Sequence, residues 1–316
     1  LNLAAVLCSI ALWGYVILYM FIFLLSVFTV FLNLLVIISI SHFEQLHTPT
    51  NLLILSLAVA DLIVGLIVIP LMGIKFIESC WYFGETFCSL FLFIAFMVVS
   101  ASLVLIAVDR YVAVCHPLLY PKKITMTKTL ISICLCWFFS STYNIGYLIS
   151  GRYFAASQRS DVCYGKCYLV ISFSWTLTDL FFSFLLPCTL IITLYLRIFY
   201  VAHQQVKVIN SLMKSGKCVT EGSVRRKSES KAALTLGIIV TVYLLCYIPY
   251  VLSATSTTVM SSATVTFLLW SLYFNSGLNP LIYALFYRWF KISVKHILTF
   301  KIFKPASSLV DIFKDY

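Results

Sequence analysis

The chain has 316 residues, 62% of them hydrophobic and only 10% charged, with a mean hydropathy of +1.02. A soluble domain is about half apolar, so the composition excludes one and points to an integral membrane protein. The formal charge of +11 does not signify nucleic-acid binding, because basic residues beside membrane spans are accounted for by topology and by anionic inner-leaflet lipid.

A helix crosses a hydrocarbon core about 30 Å thick with about 20 mostly apolar residues. Such runs are predicted, in chain order, at 13–40, 51–73, 88–114, 129–150, 169–200, 232–255 and 265–286, followed by an amphipathic stretch at 287–298 and a tail at 299–316. No repeat, linker or soluble insert divides them. The expected fold is therefore all-α and occupies 1–316 as one domain: a seven-transmembrane helix bundle with a short amphipathic eighth helix. Of the 22 Lys and Arg, only Lys75, Arg152, Arg159 and Lys166 fall in the loops of one side, which places the N-terminus outside and the C-terminus in the cytoplasm. The chain begins at Leu1 and is apolar to Ile40 for longer than one span needs, which leaves a processed start or an incomplete N-terminus open.

Several spans carry polar residues. The second contains Asp61 in "LSLAVADL", and the third ends in Asp109, Arg110 and Tyr111 of "SLVLIAVDRYVAVCHPLLY". An ionic pair at that depth is expensive unless it is used or well solvated. The seventh carries Asn279, Pro280 and Tyr283 in "NSGLNPLIYALFYRWF", where Pro280 frees a backbone carbonyl and permits a bend with two packings.

The fifth span, "WTLTDLFFSFLLP", holds Asp179, the only acidic residue in the outer half of any predicted span. It stands eight residues before Pro187, or about 12 Å along the axis. A cation entering a low-dielectric bundle needs a fixed carboxylate, because an unpaired buried charge is costly. Intramembrane acids are usually functional, so Asp179 is a candidate site for a cationic ligand. The plainer reading is a structural carboxylate, neutral or paired within the bundle. Ser183, four residues on and on the same face, is placed either to bond a second polar group of a ligand or to bond back to the preceding turn.

Together with Asn33, Trp137, Pro187 and Pro249, these motifs resemble the rhodopsin-like G-protein-coupled receptors over nearly the whole length. "NSGLNP" through "YRWF", "HFEQLHTPTNLLILSLAVADL" and "CWYFGETFC" are similar to the trace-amine-associated receptor subfamily. The resemblance implies a plasma-membrane receptor for small amines that raises cyclic AMP through a stimulatory heterotrimeric G protein, in olfactory neurons for most members. It assigns Asp109, Arg110, Tyr111, Asn279, Pro280 and Tyr283 to coupling and activation. The family's usual third-helix aspartate is missing, its place falling on Ala95 or Leu92 depending on the anchor. Cys88 and Arg110 are 22 positions apart, about three fewer than the family pattern, equivalent to about 4.5 Å and 60° of helix. Matching "SAS" at Ser100 to Ser102 puts the shortening just after Ser102, as a kink or bulge or as an error in the gene model. An aspartate at the position of Asp179 resembles fish members of the subfamily that hold the amine from the opposite wall, which makes Asp179 the expected ammonium partner.

By family position Phe96, Tyr247, Tyr250 and Tyr273 line the same cavity, where ring faces attract an ammonium; each is also readable as plain core. A tyrosine at Tyr273 cannot form a retinal Schiff base, which excludes light sensing. Tyr243 and Tyr247 stand where the family more often has phenylalanine and tryptophan. Asp61 with Asn33, Asn275 and Asn279 resembles a sodium pocket, or equally a plain buried polar network. The resemblance also implies a Cys88–Cys167 bridge and a second one between Cys8 and Cys163. It leaves Cys80 without an assigned partner and Cys134, Cys136, Cys188 and Cys246 as buried thiols. The chain shows neither metal-ligand spacing nor a convergent catalytic set, so it is not expected to be an enzyme. A receptor that binds without signalling, and a proton-coupled transporter, are the alternatives.

Overall fold

The computed structural model describes residues 3–78, 80–97, 102–156, 165–214, 235, 237–249, 251, 262–304 and 307–309. The described helices are α1 (Leu3–His42), α2 (Pro49–Ile77), α3 (Gly84–Met97), α4 (Ser102–Cys115), the single turn α5 (Tyr120–Lys123), α6 (Met126–Ile149), α7 (Phe173–Gln205), α8 (Gly237–Pro249), α9 (Ser262–Phe286) and α10 (Arg288–Leu298). By length and composition alone, Trp13–His42, α2, α6 and α7 can each cross a membrane. α3 and α4 together occupy the third expected span. The kink or bulge expected just after Ser102 is not found there, since α4 is regular α-helix from Ser102 to Cys115. Residues 98–101, between α3 and α4, lie outside the described residues.

Local chemistry sets the helix ends and irregularities. Thr48 caps α2 by accepting from the Asn51 N–H at 3.3 Å, with Pro49 at the first helical position; Thr125 caps α6 in the same way through Lys128. α2 widens into a π turn at Val64–Val68, just before Pro70, and α7 does so at Leu180–Leu185, just before Pro187. Proline has no N–H for the carbonyl four residues back, and a π turn re-pairs the ladder where lipid offers no other partner.

Lipid is as apolar as the helix surfaces, so spans associate by close packing and hydrogen bonds rather than by a hydrophobic drive. α1 is seated on three glycines. A Cβ at Gly73 would lie 2.6 Å from Ile22 Cδ1, one at Gly65 3.0 Å from Val30 Cγ2, and one at Gly277 3.2 Å from Thr29 Oγ1. Ser26 Oγ donates to the Gly65 carbonyl at 2.7 Å, and Asn33 Nδ2 donates to the carbonyls of Thr29 and Ser276 at 2.9 and 3.0 Å. Trp137 Nε1 donates to Ser56 Oγ at 3.1 Å, tying α6 to α2.

The two ends of the bundle are closed differently. At the Cys88 end, β1 (Arg152–Ala156) and β2 (Gly165–Val170) form an antiparallel hairpin with Phe154 opposite Cys167. A Cys88–Cys167 disulfide fastens the hairpin to α3. The Trp81 N–H donates to the Gly165 carbonyl at 2.8 Å, and its indole donates to the Gly84 carbonyl at 2.9 Å. Gly84 has φ +76°, a left-handed conformation that glycine alone adopts without strain. At the Arg110 end, α10 buries Trp289, Phe290 and Ser293 in a core with Phe43, Leu46 and Tyr283. Ser307 is buried there too; its hydroxyl donates to the Ile302 carbonyl at 2.6 Å and pairs with His42 Nε2 at 3.0 Å.

Candidate functional site

Asp179 closes the first α-helical segment of α7, immediately before the π turn. Its carboxylate is half-buried and turned toward α6. Two hydroxyls donate to the same oxygen, Oδ1: Tyr143 at 3.1 Å from α6 and Ser183 at 2.6 Å from the next turn of α7. Ser183 thus bonds back along its own helix, but to the side chain of Asp179. Both donors are neutral. Among the described residues the one salt bridge joins Asp109 and Arg110, and no cation is paired with Asp179.

The rings around this carboxylate come mainly from α6 and the start of α7. Tyr143 stacks on Tyr147 with centroids 6.1 Å apart and planes 20° apart; Trp175 meets Tyr147 edge-on at 6.2 Å and 79°. Phe96 meets Tyr147 at 5.8 Å, so one expected lining residue shares this cluster. Tyr247 lies elsewhere, stacked on Tyr243 at 5.1 Å and set against Phe184 at 5.5 Å. Tyr273 is buried on α9 against Trp270 at 5.8 Å. Tyr250 lies outside the described residues. Ser183 links the two regions, because a small cavity beneath it is lined by Val104, Pro187, Cys188, Ile191 and Tyr243.

Deeper in the bundle, Asn279 Nδ2 donates to Asp61 Oδ2 at 2.8 Å, and both side chains are buried. The amide oxygens of Asn33, Asn275 and Asn279 are buried with no hydrogen-bond partner among the described residues. Oxygen acceptors of this kind fit a hard cation such as sodium, and Asn279 brings one such amide to the Asp61 carboxylate.

At the far end Asp109 and Arg110 are both nearly fully buried. Arg110 Nε and Nη2 donate to Asp109 Oδ2 at 2.8 and 2.5 Å. Thr50 donates to the same oxygen at 2.9 Å and accepts from Arg110, while Tyr120 donates to Asp109 Oδ1 at 3.0 Å. Burial first, and then Asp109, pushes the Tyr120 phenol above its usual value, so it keeps its proton and its donor role. Tyr111 packs edge-on against His116 at 5.5 Å and belongs to a core with Ile191 and Tyr195. Tyr283 is buried on the turn after Pro280, and its hydroxyl, like that of Tyr195, has no partner among the described residues.

Residues 32–283 match the 7 transmembrane receptor (rhodopsin family). The chain is 39% identical to trace amine-associated receptor 13c of Danio rerio over 90% of this chain and 86% of that protein. It is 39% identical to trace amine-associated receptor 9 of Mus musculus over 99% and 93%, and 41% identical to trace amine-associated receptor 6 of Rattus norvegicus over 92% and 87%. The chain belongs to this family of rhodopsin-like receptors.

As such the receptor is a multi-pass membrane protein of a receptor family rather than an enzyme family. The transporter and non-signalling alternatives gain no support from these matches. The receptor's Cys88–Cys167 bridge is as the resemblance implied. Cys80, which the resemblance leaves without an assigned partner, is disulfide-bonded; the second expected bridge, between Cys8 and Cys163, falls on side chains outside the described residues. A cysteine beside the hairpin strand end is available to an oxidising compartment, which sequence spacing alone did not distinguish. Cys134, expected to be buried, is exposed on α6, where none of the described residues covers it, whereas Cys188 is buried and Cys136 and Cys246 are intermediate. Sequence reasoning also missed Tyr143, Tyr147 and Trp175. Their signal was present as four-residue spacings, Tyr143 to Tyr147 and Trp175 to Asp179, which put each pair on one helix face. Thr50 and Tyr120 left no comparable signal, since both reach Arg110 only through the fold.

Proposed function

We propose that the receptor senses small amines at the plasma membrane, with its N-terminus outside and its C-terminus in the cytoplasm, and raises cyclic AMP through a stimulatory heterotrimeric G protein, as in olfactory neurons. The observation that carries this reading is Asp179: a carboxylate in an apolar span whose described partners are two neutral hydroxyls. An ammonium supplies the charge that the carboxylate lacks, and an ion pair shielded from water is stronger than one in bulk solvent. The names of the relatives, trace amine-associated receptors, agree with that chemistry.

Signalling follows as a population shift, in which the amine binds one helix packing more tightly than another. Ligand at Asp179 pulls on α7. The contact of Phe184 with Tyr247, and its stack on Tyr243, passes the change to α8 above Pro249. At the other end the Arg110 guanidinium leaves Asp109, Thr50 and Tyr120 and faces the G protein. The hydroxyls of Tyr195 and Tyr283, unpaired among the described residues, gain partners in that second packing, since buried polar groups are stable only when satisfied. Sodium held by Asp61 with the oxygens of Asn33, Asn275 and Asn279 favours the inactive packing.

The test is a cyclic-AMP reporter in cells expressing the receptor, with a panel of primary to tertiary amines and diamines. Asp179→Ala and Asp179→Asn are expected to abolish responses at unchanged surface level, while Asp179→Glu keeps a weakened one. Amine responses that survive Asp179→Asn would overturn the assignment.

A further inference from the structure

Asp179 does not face its neighbours symmetrically. Oδ1 receives both the Tyr143 and the Ser183 hydroxyls, whereas Oδ2 receives no donor among the described residues. A carboxylate oxygen has two lone pairs, so Oδ1 is filled and Oδ2 is open. The two donors come from different elements, one from α6 and one from the π turn of α7. They therefore fix the carboxylate about its last torsion, which in aspartate is otherwise broad.

The same region holds an aromatic corner. Tyr143 and Tyr147 stack nearly parallel, and Trp175 stands close to perpendicular to Tyr147. Trp175, Asp179 and Ser183 follow one another at four-residue spacing along α7, on one face of the helix. Tyr143 and Asp179 are only half-buried, so the crevice where α6 and α7 meet at these two side chains is not closed over by the described residues.

We infer that the receptor's amine binds in this crevice between the fourth and fifth spans, with Tyr143 as the positioning residue that turns Asp179 Oδ2 to the ammonium and Trp175 as a ring wall beside the nitrogen. The inference rests on the assignment of Asp179 as the ammonium partner and adds where the nitrogen sits and what aims the carboxylate. Tyr143 acts through Asp179, by holding Oδ1. Ser183 shares that task, so either hydroxyl alone retains part of the alignment. Trp175 acts on the ligand directly, through the attraction of its ring face for the alkylated side of an ammonium.

The experiment uses the full-length receptor in the same reporter cells, with surface level measured for every variant and a matched pair of probes, hexylamine and N,N-dimethylhexylamine. Tyr143→Phe keeps the ring and removes the hydroxyl. It is expected to raise the half-maximal concentration of both probes about tenfold, the scale of a hydrogen bond to a charged group. Ser183→Ala is expected to do the same. The double variant should lose more than the product of the two single losses, because only then is Oδ1 unheld; coupled sites of this kind are non-additive. Trp175→Leu should weaken the dimethyl probe at least about threefold more than the primary one, a change in ratio that a general folding defect does not produce. Tyr143→Phe and Trp175→Leu curves that superimpose on the unmodified receptor, while Asp179→Asn remains silent, overturn the crevice and leave the counter-ion assignment standing. Responses that persist in Asp179→Asn, or an unmodified receptor at the surface that answers neither these probes nor the wider panel, remove both.

Discussion

At the scale of single residues, the three aspartates of the described spans, two buried and Asp179 half-buried, are treated in three ways. Asp109 is neutralised by Arg110 and two hydroxyls, Asp61 is held by an amide, and Asp179 has only neutral donors. Burying charge without compensation is costly, so the second and third are where an external cation gains most. For Asp61 the expected outcome is a salt effect: replacing sodium by choline in the assay medium raises amine potency or basal cyclic AMP several-fold, and Asp61→Asn removes that dependence while its shape is retained. Equal responses in both media would leave Asp61 a plain polar network. Asp61, Asp109 and Asp179 are legible in the sequence because a carboxylate in an apolar run stands out against its neighbours. Their partners are not: Tyr143 lies 36 positions from Asp179, and Asn279 lies 218 from Asp61. Such pairs depend on helix rotation, which hydropathy does not encode. Tyr247 and Tyr273 are placed on the right spans by resemblance, yet their described ring contacts are with other residues.

At the scale of elements, the π turn at Leu180–Leu185 matters more than its length suggests. It widens the helix between Asp179 and Pro187 and so sets the direction in which Trp175 and Asp179 point relative to the rest of α7. The turn already absorbs one residue more than α-helical pitch requires, so inserting a further one there, for example an alanine after Phe182, turns the outer part by about 100°. The expected result is a receptor that reaches the surface but whose amine potency falls at least about tenfold, read by dose–response with surface labelling; unchanged potency would mean that the direction of Asp179 is immaterial. Existence and order of the long spans follow from apolar runs alone, and Pro70 and Pro187 mark where a ladder must adjust. Whether that adjustment is a kink or a π turn is decided by packing around the proline, which is why the irregularity is visible in the sequence and its form is not.

At the scale of the whole molecule, the amine crevice and the Arg110 network lie toward opposite ends of the bundle, joined by packed helices rather than by any described hydrogen-bond chain. A ligand that moves such an equilibrium from 1:99 to 99:1 must prefer one packing by about 10⁴-fold, so the spans have to shift against one another without coming apart. The seating of α1 bears on how much change the chain tolerates. Gly65, Gly73 and Gly277 leave no room for a methyl group without displacing Val30, Ile22 or Phe28 and Thr29, whereas Gly14 and Gly146 face open space. In a saturation-mutagenesis library sorted by surface abundance, alanine at 65, 73 or 277 should be depleted, by the cost of overpacking. Alanine at 146, inside α6, should be neutral or enriched, because it adds helix propensity and meets nothing. The glycines set against α1 thus form a fragile group and those facing open space a permissive one, so tolerance to alanine at these positions will trace the seat of the first helix.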